Sequence, residues 1–167
     1  MLTGQDLLKQ ENKNKIFKKD YTSKKVFSNF EEISSLRIPP QDLEAEKAFL
    51  GSLLLSPDSF FEVVNIITKN DFYSEKHKII FETILELVNK KDPIDLLTVS
   101  SRLKKKKEID QIGGVEYLSN LLSVVGSASN ILYYAEIIKK KSTLRKLITA
   151  SNHIGEFAFK EEEELDN

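Results

Sequence analysis

The chain has 167 residues, enough for one domain with a hydrophobic core and flanking segments. It is 40% hydrophobic and 31% charged, as is typical of soluble globular proteins, and it lacks cysteine, which excludes disulfides and cysteine-ligated zinc. A formal net charge of -1 gives no general attraction to nucleic acid phosphates. No apolar run approaches the ~20 residues of a membrane span, and no secretory signal is evident, so we expect a cytoplasmic protein that has no membrane partner.

Residues 1–37 differ from the rest of the chain in charge. They carry eight basic and five acidic side chains, a net of +3, and their apolar residues are scattered. Little apolar surface could be buried there to offset the entropic cost of ordering, so we predict a disordered basic arm. Such an arm could contact nucleic acid, but a solvated linker is the favoured interpretation.

Residues 38–141 predict a globular helical domain, and its first helix has a clear start. Pro39 and Pro40 stiffen the approach, Asp42 is a good N-cap, and an apolar face runs to Leu55. Glu44 and Glu46 follow the cap, where negative charge interacts favourably with the helix dipole. They could be mistaken for a catalytic pair, but residues two apart on a helix point away from each other.

Four further helices are predicted before the last one. The DFY string at Asp71–Tyr73 lies between two of them and should place aromatic rings in the core. Asp95 is expected to cap one helix, and Gly113-Gly114 to form the loop before another. Apolar periodicity and turn residues give a second helix from a cap at Asp58 or Ser59 to about Thr68, and then helices at about Glu75–Lys90, Leu96–Lys106 and Val115–Ser123.

The last predicted helix is long, about Asn130–Phe159. We expect its first part to complete the core and residues 142–160 to project as an arm, followed by an acidic tail or linker at 161–167. The four carboxylates of Glu161–Glu164 would oppose the dipole at a helix C-terminus. The fold class is therefore all-α, a compact bundle of about five to six helices. The apolar stripe of the last helix is predicted to comprise Tyr134, Ile137, Leu144, Leu147 or Ile148, Ser151, Ile154 and Ala158.

The sequence contains no recognisable catalytic or ligand-binding motif. None of the six glycines fits the phosphate-binding pattern G-x-x-x-x-G-K-[ST]. His77 and His153 lack zinc-site spacing, and a surface or satisfied core role is favoured for each. Lys104–Lys107 could hold a phosphate, although a solvated helix end is the favoured interpretation. We predict no catalytic residue, cofactor site or metal site in this chain.

Five strings nevertheless occur in a specific order: IPPQDLEAEKAFLG from Ile38, DFY from Asp71, PIDLLTV from Pro93, GGVEYL from Gly113 and SNILYYA from Ser129. Together they resemble the N-terminal domain of the bacterial replicative DNA helicase, the DnaB family, over roughly residues 37–159. One departure is Gly126, where the family often has proline before this turn.

The resemblance implies a collar and docking domain that mediates subunit assembly and binds primase, with a helicase loader as a further partner. The last helix would be the first arm of a helical hairpin that pairs between subunits in a dimer or hexamer. The family's RecA-like ATPase, which uses ATP and Mg²⁺, would follow this domain, so the chain is either a fragment or a stand-alone N-terminal domain. We expect no enzymatic activity from it.

The resemblance also implies partner-binding residues: Tyr117, Arg145, Ile148 and Ile154, with Asp110 nearby. Simple packing is the alternative role for Tyr117, Ile148 and Ile154. A second functional interpretation is a stand-alone helical nucleic-acid-binding or helicase-regulating module. The mixed charge of the globular part favours the docking domain, for which DNA would be at most a weak ligand.

Overall fold

The computed structural model describes residues 38–125 and 130–165, and this part of the chain contains six α-helices, two short 3-10 turns and no strand. The all-α prediction is confirmed. Three stretches lie outside the described residues: the predicted basic N-terminal arm at 1–37, the predicted loop at 126–129, and residues 166–167. The helices are α1 (Leu43–Leu55), α2 (Phe60–Val63), α3 (Glu75–Lys90), α4 (Leu96–Lys106), α5 (Gly114–Val124) and α6 (Ile131–Leu165).

Helix α1 is the central element of the bundle. Its N-cap is Asp42, as predicted, and the Asp42 carboxylate accepts a hydrogen bond from the Ala45 amide at 3.0 Å. Residues on nearly every side of α1 are buried, because α3, α5 and α6 all pack against it. At Gly51, α5 comes so close that a Cβ atom would lie 2.2 Å from the Leu121 carbonyl oxygen.

The predicted second helix is much shorter than expected. Instead of a helix from Ser59 to Thr68, the chain forms a 3-10 turn at Pro57–Ser59, then the single turn of α2, and leaves helical structure after Val63. Three of the four residues that follow are the β-branched Val64, Ile66 and Ile67, which lose side-chain freedom in a helix. The segment still buries Ile67, so it contributes to the core without being helical.

Three phenylalanines from different segments meet in the core. Phe49 of α1 lies 5.7 Å from Phe72 and 6.0 Å from Phe81 of α3, and Phe72 lies 5.1 Å from Phe81, measured between ring centroids. Of the two aromatic residues in DFY, Phe72 is thus in the core as predicted, whereas Tyr73 is partly exposed. The predicted bounds of α3 and α4 agree with the structure, as does the Asp95 cap of α4.

Helix α6 differs from the prediction in its core-facing side and in its end. The fully buried residues of α6 are separated by four, three and four positions along the chain. Tyr134 and Ile137, which belong to the predicted apolar stripe, lie beside these residues and are only partly buried. The backbone remains helical to Leu165 through the predicted acidic tail, because Glu, Lys and Leu are strong helix formers and the unfavourable dipole interaction is comparatively small. The buried face of α6 is formed by Ile131, Ala135, Ile138 and Ser142.

None of the described helices is long and apolar enough to cross a membrane.

Candidate functional site

The second half of α6 leaves the globular domain. Residues 146–158, called the arm below, are all exposed except Gly155, which is partly buried. At 1.5 Å rise per residue the arm is about 20 Å long. The predicted boundary of the projecting part at residue 142 is too early, because Ser142 and Arg145 still contact the globular domain through hydrogen bonds.

An apolar stripe lies on one side of the arm and its base. Helical periodicity puts this exposed stripe on the opposite side of α6 from the core-facing residues Ile131, Ala135, Ile138 and Ser142. It is therefore a separate face of the helix. Among its members, Leu147 is 61% exposed and Ile154 is 70% exposed. The exposed stripe consists of Leu144, Leu147, Ile148 and Ile154.

As far as His153, the side of the arm that continues the core-facing direction is polar, and the exposed Phe157 follows one turn farther along. Lys146, Thr149 and His153 lie there and, with Asn70 and Ser142, line an open groove of about 520 Å³. Two of the polar groups that line this groove, Ser142 and Lys146, are already hydrogen-bonded to Asp71. Apolar contact with a partner would therefore be made mainly through the exposed stripe.

Asp71 joins the base of the arm to the globular domain. Its carboxylate is completely buried and accepts hydrogen bonds from Ser142 Oγ at 2.7 Å, Lys139 Nζ at 2.9 Å and Lys146 Nζ at 3.1 Å, all on α6. Within its own loop it accepts hydrogen bonds from the amide and hydroxyl of Thr68, both at 2.9 Å. Burial alone would raise the pKa of Asp71, but these donors outweigh burial and hold the pKa well below its usual range.

Arg145 makes a second connection at the same place. Its guanidinium donates to the backbone oxygen of Pro40 at 2.8 Å and to that of Asp71 at 2.6 Å. The group also lies 5.7 Å from the Tyr73 ring centroid. Arg145 thus joins α6 to two other segments of the domain, and two of its hydrogen-bond donors are already used inside the molecule.

A second buried carboxyl group, that of Glu46, organises the start of α3. Glu46 accepts hydrogen bonds from the Tyr73 amide at 2.6 Å and the Ser74 amide at 3.3 Å, and His77 Nδ1 lies 2.5 Å from its Oε2. The His77 Nε2 atom lies 2.7 Å from the Tyr117 hydroxyl. Glu46 was predicted to be a first-turn residue that interacts with the helix dipole, and the structure shows in addition that it is only 2% exposed because its side chain faces the core. His77 has the satisfied core role.

Tyr117 therefore belongs to an internal network as well as to the surface. The Tyr117 ring stacks on the His77 ring, with 6.0 Å between the two centroids. On α3, Lys76 places its Nζ atom 3.9 Å from the centroid of the Tyr117 ring. Burial, together with the nearby carboxyl groups of Glu44 and Glu46, raises the pKa of the Tyr117 phenol. Its hydroxyl thus stays protonated at neutral pH and can donate to His77.

The five predicted site residues fall into two groups. Tyr117 and the exposed Asp110 lie in and just before α5, whereas Arg145, Ile148 and Ile154 lie on α6. No hydrogen bond, ion pair or ring contact joins the two groups within the described residues.

Sequence reasoning missed three buried polar residues: Glu46, Asp71 and Ser142. The sequence contained a signal for two of them. Glu46 is spaced three, four and seven residues from Phe49, Leu50 and Leu53, so it lies on an apolar helix face. Ser142 continues the spacing of Ile131, Ala135 and Ile138.

The globular part of the chain matches a known protein family. The family model described as "DnaB-like helicase N terminal domain" matches residues 38–140, well over half of the chain. The chain belongs to this family. The matched region begins just before the Asp42 cap and ends near the base of the arm.

Relatives and solved structures agree with this membership of the DnaB-like N-terminal domain family. The replicative DNA helicase DnaB of Geobacillus stearothermophilus is 40% identical over 135 residues, which are 81% of this chain and 30% of that protein. The chain therefore spans less than a third of the length of this relative.

Two solved structures extend the comparison to the fold. The crystal structure of the DnaB N-terminal domain from Mycobacterium tuberculosis superimposes with a TM-score of 0.73 at 36% identity, covering 75% of this chain and 90% of that one. The N-terminal domain of DnaB from Helicobacter pylori, described together with its interactions with primase, gives a TM-score of 0.60 at 30% identity, covering 70% and 90%.

Proposed function

We propose that this chain is the N-terminal collar and docking domain of a replicative DNA helicase, which mediates subunit assembly and binds primase. The observation that carries the proposal is the exposed stripe on α6, where four aliphatic side chains remain in water on a helix that has left its own core. Contiguous exposed apolar surface of this kind is characteristic of interaction sites.

The choice of primase as the partner has support from related proteins. The Helicobacter pylori relative is described with its interactions with primase, and so is a DnaB-like replicative helicase whose structure aligns at a TM-score of 0.63 and 29% identity. We propose that Ile148 and Ile154 contact primase directly and that Tyr117 and Asp110 form a second contact region. A helicase loader is a further proposed partner.

The motor activity is proposed to reside outside this chain. Because the matched segment is 30% of the Geobacillus stearothermophilus helicase, most of such a protein would lie outside this segment. We propose that ATP and Mg²⁺ are bound by that remaining part and that the present domain has no turnover of its own. In the assembled helicase the arm would pair with other subunits.

DNA is proposed to be at most a weak ligand of the globular domain. Several of its basic side chains are already paired with carboxylates, which reduces the positive charge available to phosphates. The ion pairs are Lys69–Glu82, Arg102–Glu86, Lys106–Glu86, Lys106–Glu108, Lys139–Asp71 and Lys146–Asp71.

The primase proposal can be tested by calorimetric titration of this chain with the helicase-binding domain of a primase from the same organism. We expect the double variant Ile148→Ala/Ile154→Ala to bind about tenfold or more weakly, because both side chains would be buried by the partner. Leu97→Ala removes a comparably exposed aliphatic side chain from α4 and is the matched control. Equal binding by the double variant and the control would contradict the proposed site.

Tyr117 needs a milder substitution than alanine, because its hydroxyl bonds to the buried His77. Tyr117→Phe keeps the ring and removes only the hydroxyl. If the ring contacts primase, this variant should bind within about twofold of the original chain, whereas Tyr117→Ala should bind more weakly. Circular dichroism of both variants would separate loss of contact from loss of fold. Normal binding by a folded Tyr117→Ala variant would exclude Tyr117 from the site.

A further inference from the structure

The junction between the arm and the globular domain contains a polar clamp, defined here as Asp71, Ser142 and Arg145 with Lys139 and Lys146. All hydrogen bonds between α6 and the Lys69–Asp71 turn converge on Asp71: its carboxylate receives the hydroxyl and the two ammonium groups, and its backbone oxygen receives Arg145. One residue therefore contacts four positions within two turns on the same side of the helix.

The clamp is the last fixed point of α6. Ser142 is 1% exposed, and no residue of α6 between Thr143 and Ala158 is fully buried. Beyond the clamp the arm extends about 20 Å, so a tilt of about 10° at its base would move the far end by about 3 Å. The position of the exposed stripe is thus sensitive to small rearrangements at Asp71.

A polar clamp constrains direction better than apolar packing would. Aliphatic side chains tolerate sliding and rotation, whereas hydrogen bonds have strict distance and angle requirements. The Arg145 guanidinium adds a planar fork that reaches two backbone oxygens in different segments, those of Pro40 and Asp71. Its geometry fixes both the rotation of α6 and its distance from the loop.

We propose that Asp71 and Arg145 are positioning residues that set the direction of the arm, and thereby the affinity for primase, without touching primase themselves. The part of this inference that concerns primase rests on the proposed function, whereas the part that concerns the direction of the arm does not. Arg145 therefore acts on the partner through Ile148 and Ile154.

The direction of the arm can be measured without any partner. Because the chain has no cysteine, the double variant Asn120→Cys/Asn152→Cys can carry one spin label on α5 and one on the arm. Both asparagines are exposed. Pulsed electron–electron double resonance on the labelled 167-residue chain then gives the distribution of distances between the two spin labels. We expect Asp71→Asn and Arg145→Lys each to broaden this distribution about twofold relative to the otherwise unsubstituted labelled chain.

Glu46→Gln is the matched control for this measurement. Glu46 is also a buried carboxyl group and is bonded to the next residues of the same loop, but none of its hydrogen bonds reaches α6. Its substitution should lower the melting temperature while leaving the distance distribution narrow. A merely structural role for Asp71 predicts the same outcome for Asp71→Asn, so unchanged distributions in both clamp variants would overturn the proposal.

Titration with the helicase-binding domain of primase completes the test. If the productive direction is populated in about a tenth of the variant molecules, the dissociation constant rises about tenfold. Arg145→Lys is informative because it keeps the positive charge: normal binding by this variant together with a broadened distribution would overturn the proposed effect on affinity. If the original chain does not bind primase at all, the proposed function fails, and the distance measurement still decides whether the clamp sets the arm.

Discussion

Asp71 is the residue that connects the largest number of separate groups in this domain. Its carboxylate has no contact with water, yet it receives hydrogen bonds from five donors, two of them charged. Satisfying every acceptor position in this way is what allows a carboxylate to be buried at all. The stability of the domain should therefore depend on the ionisation of this group.

The pH dependence of stability follows from the lowered pKa of Asp71. Because the folded state favours the ionised form, the contribution to the free energy of unfolding is complete above the pKa of the unfolded chain, about 3.9, and decreases as the pH falls below it. We expect Asp71→Asn to be less stable by about 2 kcal/mol at pH 7. Urea unfolding at several pH values should show the difference shrinking below about pH 4. A difference that stays constant down to pH 2.5 would contradict this account.

At the scale of elements, the crossing of α1 and α5 depends on one missing side chain. Gly51 sits where the two backbones nearly touch, and an added Cβ would also lie 2.8 Å from Val125 Cγ2. The backbone oxygen of Leu121 cannot move away without shifting α5. The helix–helix distance is therefore set by glycine.

Gly51→Ala is expected to destabilise the domain by about 2 kcal/mol or more, because α5 must move outward and loosen the core. The same substitution at Gly155, inside the exposed arm, should not reduce stability, since alanine has the higher helix propensity there. Thermal unfolding of the two variants would compare them directly. Equal melting temperatures for Gly51→Ala and the original chain would show that the close approach is not required.

Helix α6 shows how one element can carry two apolar faces. One face, through Ile131, Ala135 and Ile138, completes the core of its own domain, and the exposed stripe lies on the other side and farther along the helix. The periodicity of the sequence mixes the two, which is why the predicted stripe combined Tyr134 and Ile137 with Leu144 and Ile154. Which face packs against α1 is decided by the tertiary contacts of α6 with the rest of the domain.

At the scale of the whole molecule, the amount of exposed apolar surface limits self-association. The exposed stripe offers four aliphatic side chains on a single helix, whereas a stable specific interface buries roughly 1,200 Å² or more and involves about 20 residues on each side. We therefore expect this chain by itself to be monomeric or weakly dimeric at micromolar concentration. Sedimentation velocity would test this expectation, and a stable hexamer would contradict it.

The local features of the fold were determined by the sequence itself. The caps at Asp42 and Asp95, the bounds of α3 and α4, and the all-helical class follow from side-chain chemistry within a few residues and from apolar periodicity. The ordered motifs also indicated the family, although each motif alone is weak. These inferences succeed because the interactions that cause them span only a few residues of chain.

The candidate site was decided by tertiary structure. Asp71 meets Ser142 and Arg145 across sequence separations of 71 and 74 residues, and the contact of Glu46 with His77 spans 31. No local pattern specifies such pairs, because they depend on how far and at what angle the helices pack. Arg145 could be picked out as a site residue by resemblance, but only the packed structure reveals that its guanidinium faces its own domain.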